Sequence, residues 1–371
     1  MPKIWIYVII NLIVLTLKRG NDKLILTKDE MLVAIKEKPG TGIKITTKAI
    51  PQELSDNEVL IKVLATAICG TDYHIYSWDE WSQKRIKPPI TMGHEFAGEV
   101  IKVGKNVNRV KLGDIVSAET HIVCDECEFC RSGKGHICQN TKIIGVDTDG
   151  SFAEYVKLPA QNLVINDKNV DPRFLSIQEP LGNAVHTILH FDIIGRTVAI
   201  VGCGPIGLMA VNIAKAVGAS KIIALEVNEY RRNLAKELGA DVIINPLEED
   251  VISRVLEATA GLGVDVVGEF SGNKQAIEQA FKYVKLGGKM SMLGIPSRNI
   301  EIDLSNDVVF KGITIYGVTG RIMYDNWHQV KGLIKHLDLE KIVTHTFKLN
   351  EVEKAMEVMK SGNSGKIALL P

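Results

Sequence analysis

From Met31 onward the apolar residues come in short runs, separated by Pro, Gly, Asn and Asp signals. Leu32–Ile35, Ile43–Thr47, Glu58–Ala67, Glu99–Val103, Asp114–Ala118 and Phe152–Val156 read as β-strands, so this part is a mostly β lobe carrying long loops. After Pro180 the grammar changes. Strands at Thr197–Val201, Lys221–Leu225, Asp241–Ile244, Val264–Gly268 and Lys289–Leu293 alternate with helices at Leu208–Val217, Glu229–Leu238, Asp250–Ala260 and Lys274–Val284. That alternation predicts a parallel sheet with helices on both faces. Two helices, Asn326–His336 and Val352–Lys360, and a closing strand, Lys366–Leu370, complete the chain. It shows no internal repeat and no low-complexity linker.

The N-terminal segment Ile4–Leu17 departs from this pattern, being apolar except for Asn11 and Thr16. It falls short of the roughly 20 residues that span a bilayer, and no A-x-A-like cleavage site follows it. Residues 1–30 are therefore expected to be a dispensable extension.

A chain of 371 residues suits two domains. Lysine plus arginine equals aspartate plus glutamate at 44 each, which disfavours nucleic acid and anionic membranes as partners. An apolar content of 46% describes an ordinary globular protein.

Four of the six cysteines change the picture: Cys124, Cys127, Cys130 and Cys138 read C-x₂-C-x₂-C-x₇-C. Clustered thiols of this kind suit a tetrahedral, all-sulfur structural zinc site. The ferredoxin iron–sulfur run also opens with C-x₂-C-x₂-C, but it closes after three residues with Cys-Pro. Here seven residues intervene and Gln139 follows Cys138, so zinc is the better reading. Thiolate ligands need a reducing compartment, which points to the cytoplasm.

Gly202, Gly204 and Gly207 form G-x-G-x-x-G between a strand and a helix, and Glu226 ends the second strand, 24 residues beyond Gly202. The first glycine permits a tight turn, the second admits pyrophosphate, and the third allows close helix packing. Glu226 would accept from ribose hydroxyls and repel a 2′-phosphate, favouring NAD over NADP, while Arg231 nearby keeps NADP in view. Cys203 reads as a small packed residue of the turn.

Cys69, followed by Thr71 and His74, and the pair His94-Glu95 supply thiolate, imidazole and carboxylate, a donor set that zinc accepts. The pair is not a metalloprotease H-E-x-x-H, because Gly98 stands where the second His would be. Taken with the cysteine lobe, the GHE run, DGSFAEY (Asp149–Tyr155) and the strand–GxGxxG–helix unit, residues 31–371 resemble the zinc-dependent medium-chain alcohol dehydrogenases. Further strings, among them CGTDYHIYSWDEW (Cys69–Trp81), EPLGNAVHT (Glu179–Thr187) and ITIYGVTGR (Ile313–Arg321), resemble the branch of that family acting on a hydroxy amino acid.

The resemblance implies an α/β architecture: a mostly β, GroES-like catalytic domain from 31–180 and 321–371, and a doubly wound Rossmann domain from 181–320. It implies catalytic zinc on Cys69, His94 and Glu95; sequence leaves open whether Glu95, Glu179 or water completes the shell. It also implies that Ile206, Glu226, Arg231, Leu293, Gly294, Ile295, Val318 and Thr319 contact NAD, and that His121 and Glu179 face substrate. The implied reaction is oxidation of the 3-hydroxyl of L-threonine to L-2-amino-3-oxobutanoate, with a polyol or 2,3-butanediol as the alternative substrate. Thr71 would hydrogen-bond the reacting oxygen, and the His74 imidazole suits the outer end of a proton relay. A homotetramer built partly through edge strands such as Ile313–Val318 is expected on the same ground.

Overall fold

The computed structural model describes residues 29–371 in full, with the backbone of two short paired strands, Leu17–Arg19 and Asp22–Leu24. The reading of residues 1–30 as an extension otherwise falls outside the described residues. Among the described residues no helix is long and apolar enough to cross a membrane.

The β-rich half is built on a seven-stranded sheet ordered Leu163–Ile165, Ile115–Ala118, Glu95–Val103, Glu58–Ala67, Lys366–Leu370 and Val343–Lys348, with Tyr155–Pro159 also pairing Glu58–Ala67. Val59, Ile61, Val63, Phe96, Val100 and Val116 are buried in one cluster along its central strands. Each such side chain contributes roughly 1.5–3 kcal/mol of burial, which locks the register. A smaller sheet of Lys44–Ala49, Glu30–Lys36 and Ile90–Thr91 packs beside it. The last strand returns from the far end of the chain to set Ala368 opposite Ala67.

The second half is a six-stranded parallel sheet ordered Val242–Ile244, Lys221–Leu225, Thr197–Val201, Val264–Glu269, Val284–Met292 and Thr314–Gly317. Val198, Ala199, Ile200 and Val201 are all buried because helices cover both faces, hence the unbroken apolar run in sequence. Helix Pro205–Ala216 is buried from Gly207 to Ala214, wedged against helix Gln178–Ile188 and the sheet. The strand order reverses between Thr197–Val201 and Val264–Glu269, and such a switch point opens a crevice at the strands' carboxyl ends.

Several elements differ from the pattern-based expectation. Strand Glu95–Val103 starts four residues before the expected Glu99, because it pairs with Glu58–Ala67 as far as Ala67 opposite Glu95. The expected strand at Phe152–Val156 is displaced to Tyr155–Pro159, while Phe152 makes isolated backbone bonds to Met92 and Ala34. Helices Gly70–Ser77 and Glu80–Arg85 occupy a stretch with no expected element. Both are too short for a clear apolar stripe.

Candidate active site and cofactor cleft

The catalytic cluster is assembled by strand pairing. Glu95 opens its strand directly opposite Ala67, and Cys69 follows two residues later as the N-cap of helix Gly70–Ser77. Gly93 precedes His94 with φ +87, and a Cβ there would lie 2.2 Å from the Phe152 ring, so only glycine fits. Asp72 is fully buried and accepts from the backbone N–H of Cys69 at 2.9 Å and of Gly93 at 3.2 Å. One carboxylate thus fixes the two chain segments that bear the thiol and the imidazole.

Ligand atoms of Cys69, His94 and Glu95 lie within 4.8 Å of one another. His94 Nδ1 and Glu95 Oε1 are buried without a hydrogen-bond partner, an arrangement that costs free energy unless something else is coordinated there. Among the described residues, four buried carboxylates here, Asp72, Glu95, Glu119 and Glu179, face the buried cations Lys366 and Arg321 and the His94 imidazole. That excess of negative charge suits a dication, and thiolate, imidazole and carboxylate suit zinc. Burial alone would lower the His94 pKa, but the Asp72 carboxylate and the Cys69 thiol push it up to about 10. Burial raises the Glu95 carboxyl, opposed by Lys366.

Thr71 Oγ1 stands 3.9 Å from Cys69 Sγ, beside the cluster. His74 lies one turn further along the helix, its side chain 58% exposed, with Nδ1 2.6 Å from Asp79 Oδ2. A hydroxyl at the cluster and an imidazole at solvent can therefore mark the two ends of a proton path.

Glu179, on helix Gln178–Ile188, is buried near the cluster but is not one of the three grouped donors. Its Oε1 accepts from the Arg321 guanidinium. Arg321 is itself fully buried, pairs with both oxygens of Glu119 and reaches Asn183 Oδ1 at 3.1 Å. His121 Nδ1 sits 2.9 Å from Glu119 Oε1 and 3.3 Å from Arg321 Nη2, placing the two expected substrate residues around one arginine. Sequence reasoning missed Arg321, Glu119, Asp72 and Lys366 as site residues. Arg321 closes one of the strings behind the resemblance, but no periodicity marks a buried arginine.

The cysteine lobe folds around short turns. Cys127 caps helix Glu128–Arg131, and Asp125 takes φ 58. The Sγ separations are 3.5 Å for Cys127–Cys130, 3.9 Å for Cys127–Cys138 and 3.5 Å for Cys138–Cys124. A tetrahedron with Zn–S of about 2.3 Å separates its sulfurs by about 3.8 Å, so the four residues fit zinc as they stand. The backbone N–H groups of Glu126 and Cys127 hold the Cys124 thiol down to about 6, favouring the thiolate that a metal needs.

At the switch point, Gly202 has φ +85 and Gly207 approaches Gly202 O so closely that a Cβ would lie 2.0 Å away. Nothing lies within 4 Å of a Cβ built on Gly204, whose open side faces the crevice. A cavity of about 400 Å³ there is lined by Gly202, Gly204, Glu226, Arg231, Phe270 and Ser271 among others. Glu226 Oε2 accepts from Cys203 N at 2.7 Å and Oε1 from Asn228 N at 2.8 Å, aiming the carboxylate along the turn. Arg231 Nε is buried without a partner. Ile206 packs partly buried against the core, while Leu293, Gly294 and the exposed Ile295 follow strand Val284–Met292 at the sheet's carboxyl edge. Val318 and Thr319 follow the edge strand, Val318 N donating to Met292 O at 2.9 Å.

Comparison with known proteins places this arrangement. Residues 55–168 match the alcohol dehydrogenase GroES-like domain and residues 205–338 the zinc-binding dehydrogenase domain. L-threonine 3-dehydrogenase of Caldanaerobacter subterraneus subsp. tengcongensis is 56% identical over 344 residues, covering 92% of this chain and 99% of that one. The enzyme of that name from Bacillus subtilis is 52% identical with the same coverage. Among solved structures, a putative zinc-binding dehydrogenase of Sinorhizobium meliloti bound to NADP superposes with TM-score 0.86 at 28% identity, covering 93% of this chain and all of that one. A 2R,3R-butanediol dehydrogenase of Bacillus subtilis gives TM-score 0.81 at 28% identity, covering 92% of this chain and 99% of that one. With half its residues shared along nearly the whole length of such relatives, the chain belongs to the L-threonine 3-dehydrogenase branch of the zinc-containing medium-chain alcohol dehydrogenases.

Proposed function

We propose that the protein oxidises the 3-hydroxyl of L-threonine to L-2-amino-3-oxobutanoate while NAD accepts the hydride. The observation that carries this reading is the convergence of Cys69, His94 and Glu95 on one point in a chain whose relatives bear that activity's name. Zinc held by these three residues would act as a Lewis acid and lower the pKa of the substrate hydroxyl. Thr71 would relay the hydroxyl proton, hydrogen-bonding the reacting oxygen and giving up its own hydroxyl proton as it takes the substrate's, and His74 would pass a proton to solvent with Nδ1 held by Asp79. His121 and Glu179 face the amino-acid end of the substrate. Arg321, between them, sets their positions.

For the cofactor, Glu226 supports NAD, because its carboxylate would repel a 2′-phosphate while still accepting from ribose hydroxyls. Leu293–Ile295 and Val318–Thr319 line the nicotinamide side of the cleft. A second, closed zinc on the four cysteines braces its loop. The halves 31–180 with 321–371 and 181–320 act as catalytic and cofactor domains. Five cysteines serving as thiolate zinc ligands fit a reducing cytoplasm. A homotetramer is supported by the outermost strand Thr314–Gly317, which exposes Ile315 beside the exposed Leu304, Val309 and Phe310.

The test is NAD reduction by zinc-loaded protein with L-threonine, sorbitol and 2,3-butanediol at matched concentrations. Threonine-selective turnover abolished by chelation supports the reading. Turnover of the diols alone would replace the substrate and keep the chemistry.

A further inference from the structure

Glu269 ends the strand Val264–Glu269 at the switch point, and none of the motifs above includes it. Its side chain is completely buried, and among the described residues no ion pair contains it. Its partners are amides and a hydroxyl. Oε1 accepts from Ser271 N at 2.8 Å, from Gly272 N at 3.0 Å and from Ser271 Oγ. The Glu269 backbone carbonyl accepts from Leu293 N at 3.0 Å and Gly294 N at 3.1 Å.

Three loops meet around this one side chain. A Cβ on Gly294 would lie 2.3 Å from Gly272 N and 2.4 Å from Glu269 Oε2. A Cβ on Gly202 would lie 2.8 Å from Ser271 Cβ, so the glycine-rich turn rests on the same loop. Gly202, Phe270 and Ser271 all line the 400 Å³ cavity. The glycines let the backbones touch, and the carboxylate accepts from the converging donors. Burial without a cation raises the Glu269 carboxyl, and the hydrogen bonds from Ser271 and Gly272 oppose that rise.

We propose that Glu269 is a positioning residue for the dinucleotide, its buried carboxylate holding the Ser271–Gly272 turn and its backbone carbonyl the Leu293–Gly294 turn beside the glycine-rich turn, and so shaping the cofactor cleft. This rests on the cofactor reading above. It assigns Glu269 no contact with the reacting atoms.

The test is titration of NADH into the zinc-loaded, full-length protein by fluorescence, for wild type, Glu269→Gln, Ser271→Ala and the double variant. Glutamine keeps the shape but turns an N–H toward donors that now find an acceptor. Glu269→Gln should raise the NADH Kd and the NAD KM by about tenfold. kcat at saturating NAD and KM for L-threonine should stay close to wild type, while the melting temperature without cofactor falls by a few degrees. Ser271 is exposed, so Ser271→Ala keeps the fold and should weaken NADH by about threefold. The double variant should fall short of the product of the single effects, as coupled residues do. An unchanged Kd in either single variant overturns the proposal, as does a loss in which the threonine KM and the melting temperature worsen in parallel. Wild-type protein that binds no NADH would sink the cofactor reading itself, which separates the two failures.

Discussion

Lys366 and Glu95, 271 positions apart in sequence, form a fully buried ion pair beside the grouped metal donors. The lysine also donates to Ile68 O at 2.7 Å, one residue before Cys69. It reaches this point because the chain's last strand pairs antiparallel with Glu58–Ala67, Ala368 opposite Ala67, a register that carries Lys366 back toward Cys69. Glu95 Oε2 is thereby held while Oε1 is left free to coordinate.

Removing one partner of a buried pair leaves an uncompensated charge, which costs about 3 to 5 kcal/mol. Lys366→Met should therefore lower the melting temperature sharply, with Lys366→Arg recovering part of it. Calorimetry with zinc analysis checks both: the Met variant should also bind catalytic zinc less selectively against other dications. A melting temperature equal to wild type would show that Glu95 is compensated elsewhere.

Arg321 supports a prediction with a definite pH sign. Burial alone would raise the Glu119 carboxyl, but Arg321 and His121 hold it well below the usual carboxylate range. Its stabilising contribution is fully present above the unfolded value near pH 4.3 and is lost only as pH falls through the depressed folded value. In Arg321→Met the His121 contacts remain but the main opposition to burial is gone, and Glu119 takes up a proton on folding. The variant's deficit against wild type, about 3 to 5 kcal/mol at pH 7, should shrink as the pH drops toward about 5. Urea unfolding at pH 5 and pH 7 measures it, and a deficit that grows on acidification would contradict the assignment.

For the relay, Thr71→Ala should cut kcat by about 10²- to 10⁴-fold with NAD binding unchanged. His74→Asn should cut it less, and most at lower pH, where solvent base is scarce. Steady-state kinetics from pH 6 to 9 tests this. Full activity of His74→Asn across that range removes the imidazole from the path.

The sulfur lobe should be separable from the chemistry. Cys130→Ser should reduce bound zinc by one per chain and lower the melting temperature, with the remaining zinc and residual turnover persisting at low temperature. Metal analysis beside thermal unfolding reads both. Loss of both zincs at once would mean that the lobe and the catalytic cluster are one cooperative unit.

Much of the molecule was legible in residue order. Buried parallel strands read as apolar runs, and Gly202 and Gly207 of the dinucleotide turn announce themselves because the backbone there leaves no room for a side chain. The four lobe cysteines lie within fifteen residues, so spacing alone foretold their meeting. Elements without a periodic stripe escaped notice: helix Gly70–Ser77 is short and half solvent-facing, yet it presents Cys69, Thr71 and His74.

The sequence by itself determined the chemistry available: thiolates, imidazole and carboxylates in local runs, and a strand–turn–helix unit that shapes a phosphate-binding crevice. These are short-range features, set by spacing and backbone conformation. Tertiary structure alone decided which distant charges meet. Lys366 comes to Glu95 through the closing strand, which inserts between Glu58–Ala67 and Val343–Lys348, and Arg321 reaches Glu119 and Glu179 across separations of 202 and 142 residues. Such pairs carry no local signature, because a buried charge is tolerated only where the fold happens to bring its partner.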